Sequence, residues 1–365
     1  MNICIIGDGL TSLSLAKSLI NKKINVHLYH KNKIANLSAS RTIGISKNNL
    51  EFFKKEIYDA PKKIFWEINK IEIYSEKLDK ENLLKFENNR NNLFYMVKNK
   101  DLYKSLKDKI STNKFFKKKK ILNDLFFEEL LKKNKYDLII NCDSDNFLSK
   151  KYFTKIIKKN YDNLAYTTVI EHKIIDNNVA IQIFTKFGPI AFLPISNTTT
   201  SIVCSLDTKN KEYYESEVLD LISKHNPKYE IKKILKLSNF KLTSSNLRNY
   251  HHQNILAFGD LLHRIHPLAG QGFNMTIRDI KILSTIIQNK IDLGLQLDSS
   301  ILTIFEKETK NKNFLFSNSV DFIYELFNFD KKINSKNFNK ILKIVGKNKS
   351  LTNYLVKLAD NGLNF

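Results

Sequence analysis

The first thirty residues constrain the fold of this chain more than any other part. NICII (2–6) has the look of a short buried strand, and Gly7-Asp8-Gly9 breaks it. Leu13, Ala16 and Ile20 then recur at helical spacing, and INVHLYH (24–30) is a second apolar run. A strand, a turn, a helix and another strand in so few residues predict a crossover unit of a parallel sheet. In Gly7-x-Gly9-x-x-Ser12 the first glycine permits the bend and the second lets the backbone approach a pyrophosphate. The helix start adds free N–H groups and a positive dipole end. Two positions depart from that pattern. Ser12 stands where a third glycine would let helix and strand close up, and His30 stands where an acid would bind a ribose hydroxyl. Histidine can donate or accept such a bond, but it does not reproduce a carboxylate. Taken alone, the turn also fits an α/β domain that binds no nucleotide.

At 365 residues the chain is long for one core and predicts about two domains. FYMVKNKDLYKSL (94–106) runs from a strand into a helix, and KYDLIINCD (135–143) is another buried strand. Between 161 and 206 several β-type segments follow one another, which predicts a sheet-rich domain inserted in the first one. From 280 onward the apolar spacing is helical. The net charge of +23 invites a nucleic-acid reading, but Lys and Asn are spread through the whole chain and Arg is rare. That is compositional bias, and no nucleic-acid partner is expected. The densest basic run, Lys117–Lys120, reads as a solvated turn or as a contact with anionic lipid headgroups. Three cysteines without a pairing motif fit a reducing cytoplasm and predict no metal site. No apolar run is long enough to span a membrane, and MNICIIGDGL lacks the features of a signal peptide.

The second informative stretch is ILAFGDLLHRIHPLAGQGFNMTIRD (255–279), in which a strand-like run gives way to a helical pattern. Three of the chain's 10 glycines, with a proline, fall within it. Asp260 is placed to accept a hydrogen bond from a polyol hydroxyl, and Pro267 fixes φ and removes a donor. Gly270-Gln271-Gly272 would let the backbone lie flat against a planar ring, with the next helix's N–H groups directed at it. An electron-poor ring that turns anionic on reduction would be stabilised there. His263 and His266 have no carboxylate or thiol beside them to complete a metal set, so each is expected to be a satisfied, partly buried histidine.

GDLLHRIHPLAGQGFNMTIRD resembles the second flavin-contacting signature of the class A FAD-dependent aromatic monooxygenases. More narrowly, the chain resembles the ubiquinone-biosynthesis hydroxylase family within that p-hydroxybenzoate-hydroxylase-like class. The likeness runs nearly end to end. SRTIGIS (40–46) matches the family's segment with a flavin-contacting arginine, hence Arg41, and AIQIFTKFGPIAFLPI (180–195) its substrate-domain strand. DLG (292–294) falls in its C-terminal region. The family's Asp-Gly with a following Ser-x-x-Arg is altered here: DLIINCDSDNFLSKKYF keeps Asp143 and Ser149 but has Ser144 at the glycine.

The resemblance implies an α/β fold: an interrupted Rossmann-like FAD-binding domain (1–65, 91–160 and 247–290), an inserted β-sheet substrate domain (66–90 and 161–246) and a C-terminal helical region (291–365). It implies FAD as cofactor and NAD(P)H as reductant, with an oxygen atom from O₂ delivered to an aromatic ring. Gly7, Gly9, Ser12, His30 and Arg41 would lie on the ADP and pyrophosphate side, and Asp143 near the nucleotide channel. Gly259 and Asp260 would hold the ribityl–phosphate region, and Pro267, Gly270, Gly272 and Asn274 would frame the isoalloxazine. It names no catalytic base. The substrate implied is a small aromatic molecule, a polyprenylated phenol of ubiquinone biosynthesis. A cytoplasmic protein peripheral to the inner face of the membrane then follows, with a quinone-biosynthesis complex as partner. The lysine-flanked segment around Leu351, Leu355 and Leu358 reads either as a dock or as an ordinary packed bundle with a solvated lysine face. Two alternatives stay open. One is a flavin-binding scaffold that no longer hydroxylates, motivated by His30 and Ser144. The other is a different FAD/NAD(P)H oxidoreductase; a halogenase-like relative would carry a Trp-rich motif, and Trp66 is the only tryptophan.

Overall fold

The computed structural model describes residues 1–31, 40–76, 82–87, 92–133, 135–209, 211–266, 270–332 and 362. Pro267 and the Leu351, Leu355 and Leu358 segment lie outside the described residues.

The opening unit forms as its pattern predicts. Strand β1 (Asn2–Ile6) pairs in parallel with β2 (Asn25–His30) on one side and with the Leu138–Asn141 strand on the other. Helix α1 (Leu10–Asn21) makes the crossover. The complete sheet runs His251–His252, Ile255–Ala257, Leu138–Asn141, β1, β2, Phe116–Lys120, and every pairing except the first is parallel. Ile3, Cys4, Ile5 and Ile6 are all fully buried. Continuous burial of this kind marks a parallel sheet covered on both faces. The helices Asn99–Ser111 and Gln271–Asp292 both pack against α1.

The lysine run is a strand and not the expected turn. Phe116–Lys120 adds to the edge of the sheet beside β2. Its lysines suit an edge, where charge discourages pairing with another chain. The side chains are also used: Lys118 pairs with Asp8 and Lys119 lies 5.9 Å over the Tyr29 ring.

A nine-stranded, mostly antiparallel sheet forms the second layer. Its central strand, Ile156–His172, pairs with Thr199–Asp207 and with Ser238–Leu247. That strand begins at Ile156, ahead of the 161 that the pattern suggests. Its first residues are exposed, and the register shifts between Asn160 and Leu164, so no alternation survives to be read. Strand β3 (Thr42–Ser46) sits between the two sheets in a small sheet of its own with Phe94–Lys98 and Phe65–Ile68. The Ser300–Lys332 helix closes the described chain against the Gln271–Asp292 helix.

Candidate functional site

Four loops gather at the carboxyl ends of the parallel strands, where open α/β sheets bind their ligands. The backbone fixes their positions. Gly7 N–H donates to the Tyr29 carbonyl at 2.8 Å, Cys142 N–H to Ile6 at 2.8 Å, and Phe258 N–H to Asn141 at 2.9 Å. These bonds bring together Gly7–Gly9, His30, Asp143 and Gly259–Asp260, which are scattered over 253 residues of sequence.

The glycine turn has the shape its sequence implies. Gly7 takes φ +123. Gly9 begins α1 without a side-chain cap or an acidic residue in the first turn. A Cβ on Gly9 would meet nothing within 4 Å. The Ser12 side chain is buried, its hydroxyl 3.0 Å from where a Gly7 side chain would stand. Serine therefore fills the space between turn and helix. His30 is half-buried, and its Nδ1 lies 3.1 Å from the Lys31 carbonyl. A carbonyl only accepts, so this bond needs the proton on Nδ1.

Asp143 is committed to its own turn. Its carboxylate accepts from Asp145 N–H at 2.9 Å, and its carbonyl accepts from Ser149 Oγ at 2.5 Å. Asn141, fully buried, braces the same loop through Asn146 and Ser149 at 2.8 Å each. Beneath it lies the Cys142 thiol, pushed up to about 12 by burial, with the Asp143 and Asp260 charges acting in the same direction. The Asp260 loop thus comes close to α1 and the first glycine turn. Gly259 makes that approach possible: at φ +63, a Cβ there would stand 2.6 Å from Thr11 Cγ2 of α1.

The second glycine group opens the Gln271–Asp292 helix. Gly270 is its N-cap at φ +67, and a Cβ would come within 3.2 Å of the Gly44 nitrogen on β3. Gly272 is open, with nothing within 4 Å of a Cβ. Gln271 is buried and its Oε1 has no hydrogen-bond partner among the described residues. Asn274 is used wholly by the protein. It accepts from Ser46 N–H at 3.0 Å and Asn49 Nδ2 at 3.2 Å, and it donates to the carbonyls of Gly44 at 2.9 Å and Gly270 at 3.5 Å. It clamps β3 to the helix and so shapes the glycine bed from behind. Arg41, just before β3, is exposed. Strand β3 and the turn before it also reach the large sheet: Ser40 and Thr167 hydroxyls lie 3.2 Å apart, and Thr42 donates to Ser201 at 2.9 Å. The glycine bed therefore faces the junction of the two layers.

The two histidines separate. His263 fits the expectation of a satisfied residue, with Nε2 2.5 Å from Asp279, which also accepts from Asn313 at 3.0 Å. His266 corrects it. Its ring is 1% exposed, and neither nitrogen has a hydrogen-bond partner among the described residues. It stacks on Tyr324 at 4.1 Å and meets Tyr161 edge-on at 4.8 Å. Tyr161 donates in turn to Asp321, which accepts from Ser244 as well. Aromatic packing holds this histidine, and no periodicity or motif points to that environment.

Sequence reasoning also missed Asp8. Its carboxylate accepts from Lys118 Nζ at 2.8 Å and from Tyr103 OH at 3.1 Å. An acid inside a phosphate-type turn was a signal in plain view, but its partners come from elements more than ninety residues away.

A family model described as an FAD binding domain matches residues 151–292. The "Ubiquinone biosynthesis monooxygenase COQ6, mitochondrial" of Dictyostelium discoideum is 24% identical, over 89% of this chain and 84% of its own. The 3-demethoxyubiquinol 3-hydroxylase of Escherichia coli is 30% identical over 40% of this chain and 39% of its own. The chain spans about half the length of the curated relatives from Xenopus tropicalis and Danio rerio. Among solved structures, p-nitrophenol 4-monooxygenase PnpA from Pseudomonas putida superposes with a TM-score of 0.75 at 10% identity, covering 98% of each chain. HpxO of Klebsiella pneumoniae, solved with FAD and uric acid, gives 0.62 at 13% identity, covering 99% of this chain and 93% of its own. The fold is that of FAD-dependent monooxygenases, and the residues present fit the cofactor: two helix starts have open backbone, at Gly9 and Gly272, and the helices they open pack against each other.

Proposed function

We propose that this FAD-dependent monooxygenase, homologous to the ubiquinone-biosynthesis hydroxylases, hydroxylates a polyprenylated phenol using NAD(P)H and O₂. The observation that carries the reading is the position of the Gly270–Gly272 bed. It lies against β3, and β3 with the turn before it is hydrogen-bonded to the large antiparallel sheet, Thr42 to Ser201 and Ser40 to Thr167. A ring cofactor on that bed and an aromatic substrate on that sheet would share one water-poor space.

FAD, when bound, would supply the redox chemistry that couples NAD(P)H to O₂. The chain supplies binding and orientation. The N–H groups of α1 behind Gly7 and Gly9 would take the pyrophosphate, with Arg41 at its edge. Ser12 keeps α1 close to the turn, and His30 and Asp143 border the nucleotide channel. Asp260, held at the turn by Gly259, would accept from a ribityl hydroxyl. Gly270 and Gly272 would lie under the flavin ring, with Asn274 keeping that backbone in place. The same reading divides the chain into a flavin part built on the parallel sheet and a substrate part built on the antiparallel one.

A polyprenyl tail would bring the protein to a membrane surface as a peripheral partner, and a quinone-biosynthesis complex would deliver its substrate. Among the described residues no helix is long and apolar enough to cross a membrane. Exposed Leu315 and Phe322 on the last helix offer an apolar face, with lysines nearby to meet anionic headgroups.

The test is direct. The purified protein is expected to be yellow, and anaerobic NADH or NADPH is expected to bleach it. Asp260→Ala is expected to release the flavin with little loss of fold, since the Asp260 side chain is exposed. A colourless protein that takes up no added FAD overturns the reading.

A further inference from the structure

Within the flavoprotein reading, we infer that Asp8, and not His30, supplies the carboxylate that binds the ribose of the adenosine half. A carboxylate at the end of the second strand ordinarily does this in dinucleotide-binding sheets. Here that position is His30, and the residues that follow it in sequence (KNKIANLS, 31–38) contain no acid.

The structure brings a carboxylate to the same end of the sheet by another route. Asp8 follows β1, and its neighbour Gly7 is bonded to the Tyr29 carbonyl of β2, one residue before His30. Lys118, which pairs with Asp8 at 2.8 Å, lies on the strand at the far side of β2. Neighbouring strands stand roughly 4.8 Å apart. A salt bridge joining residues on either side of β2 must therefore cross β2, and since Lys118 is in register with Leu28 it does so within two residues of His30, near the end where the ribose is read. Tyr103 OH, donating at 3.1 Å from the Asn99–Ser111 helix, fixes the carboxylate from a third direction. Burial and the Asp8 charge hold that phenol well above its usual range, so it remains a donor.

Two bonds leave the carboxylate with capacity. An ionised carboxylate has about four acceptor sites, and Asp8 keeps a side-chain exposure of 15%. Lys118 also offsets the negative charge that would otherwise repel a pyrophosphate at the same turn. The acid has moved from the end of β2 into the glycine turn, and the lysine strand makes that move tolerable.

The test is displacement of FAD from the full-length protein, read as the rise in flavin fluorescence. ADP and 2′,3′-dideoxy-ADP are compared as competitors. ADP is expected to act at about tenfold lower concentration in the unaltered protein, as one lost charge-assisted hydrogen bond predicts. Asp8→Ala is expected to bring the two competitors within about twofold of each other, and His30→Ala to leave the tenfold ratio intact. An unchanged ratio in Asp8→Ala, or its loss in His30→Ala, overturns the inference. If Asp8→Ala does not fold, Lys118→Met, on an edge strand, leaves Asp8 unanchored and is expected to shrink the ratio; an unchanged ratio there overturns the inference as well. Failure of the unaltered protein to bind FAD at all overturns the flavoprotein reading instead.

Discussion

The side chain of Asn274 holds β3 to the Gln271–Asp292 helix, donating to the Gly44 carbonyl at 2.9 Å while accepting from Ser46 N–H at 3.0 Å. One amide thus fixes the distance between the strand that borders the substrate sheet and the helix start that would lie under a flavin. Asn274→Ala removes four hydrogen bonds from a residue 1% exposed. Each buried group left unmatched costs about 1–3 kcal/mol. The expected loss of unfolding free energy in urea is about 3 kcal/mol, with weaker flavin retention following from the loosened bed. A change below about 0.5 kcal/mol would show that the clamp is dispensable.

The two glycines of the bed separate fold from ligand. Gly270→Ala puts a Cβ at φ +67 and 3.2 Å from the Gly44 nitrogen, so it is expected to lower stability by about 1–2 kcal/mol even without flavin. Gly272→Ala meets no protein atom within 4 Å. Its flavin-free melting temperature is expected to stay put or rise, while FAD affinity falls by about tenfold or more. Equal FAD affinity in Gly272→Ala and the unaltered protein would mean that no ligand lies on this backbone.

Much of this architecture was legible in the sequence where the physics is local. The apolar run of NICII, the Gly7 turn and α1 are contiguous, and so is the run from Gly259 to Asn274. The lysine strand was not legible, because four lysines carry no apolar period; the backbone of β2 recruits them. The Asp8 site and the His266 nest share a different obscurity. Each joins side chains from three elements far apart in the chain, and their residue types look like ordinary surface or core until the topology places them together. Asn274 was legible as a site residue from its motif, but that its amide faces β3 follows only from the packing.

His266 makes the pH dependence of stability testable. Burial, aided by the Lys159 charge, pushes its pKa down to about 3, against an ordinary value of 6.5. Below pH 6.5 the unfolded chain takes up a proton that the folded chain refuses, so the His266 contribution is complete above that pH. It is lost as pH falls toward 3, at roughly 1.4 kcal/mol per pH unit. His266→Phe keeps a ring stacked on Tyr324 and removes both unpartnered nitrogens along with the titration. Urea titrations at pH 7, 6 and 5 are expected to show the unaltered protein losing stability more steeply than His266→Phe by about that slope. The variant is expected to be no less stable at pH 7, because it buries no unmatched polar atom at this position. Parallel pH profiles for the two proteins would mean that His266 reaches solvent in the folded state, and the aromatic nest would then have to be open.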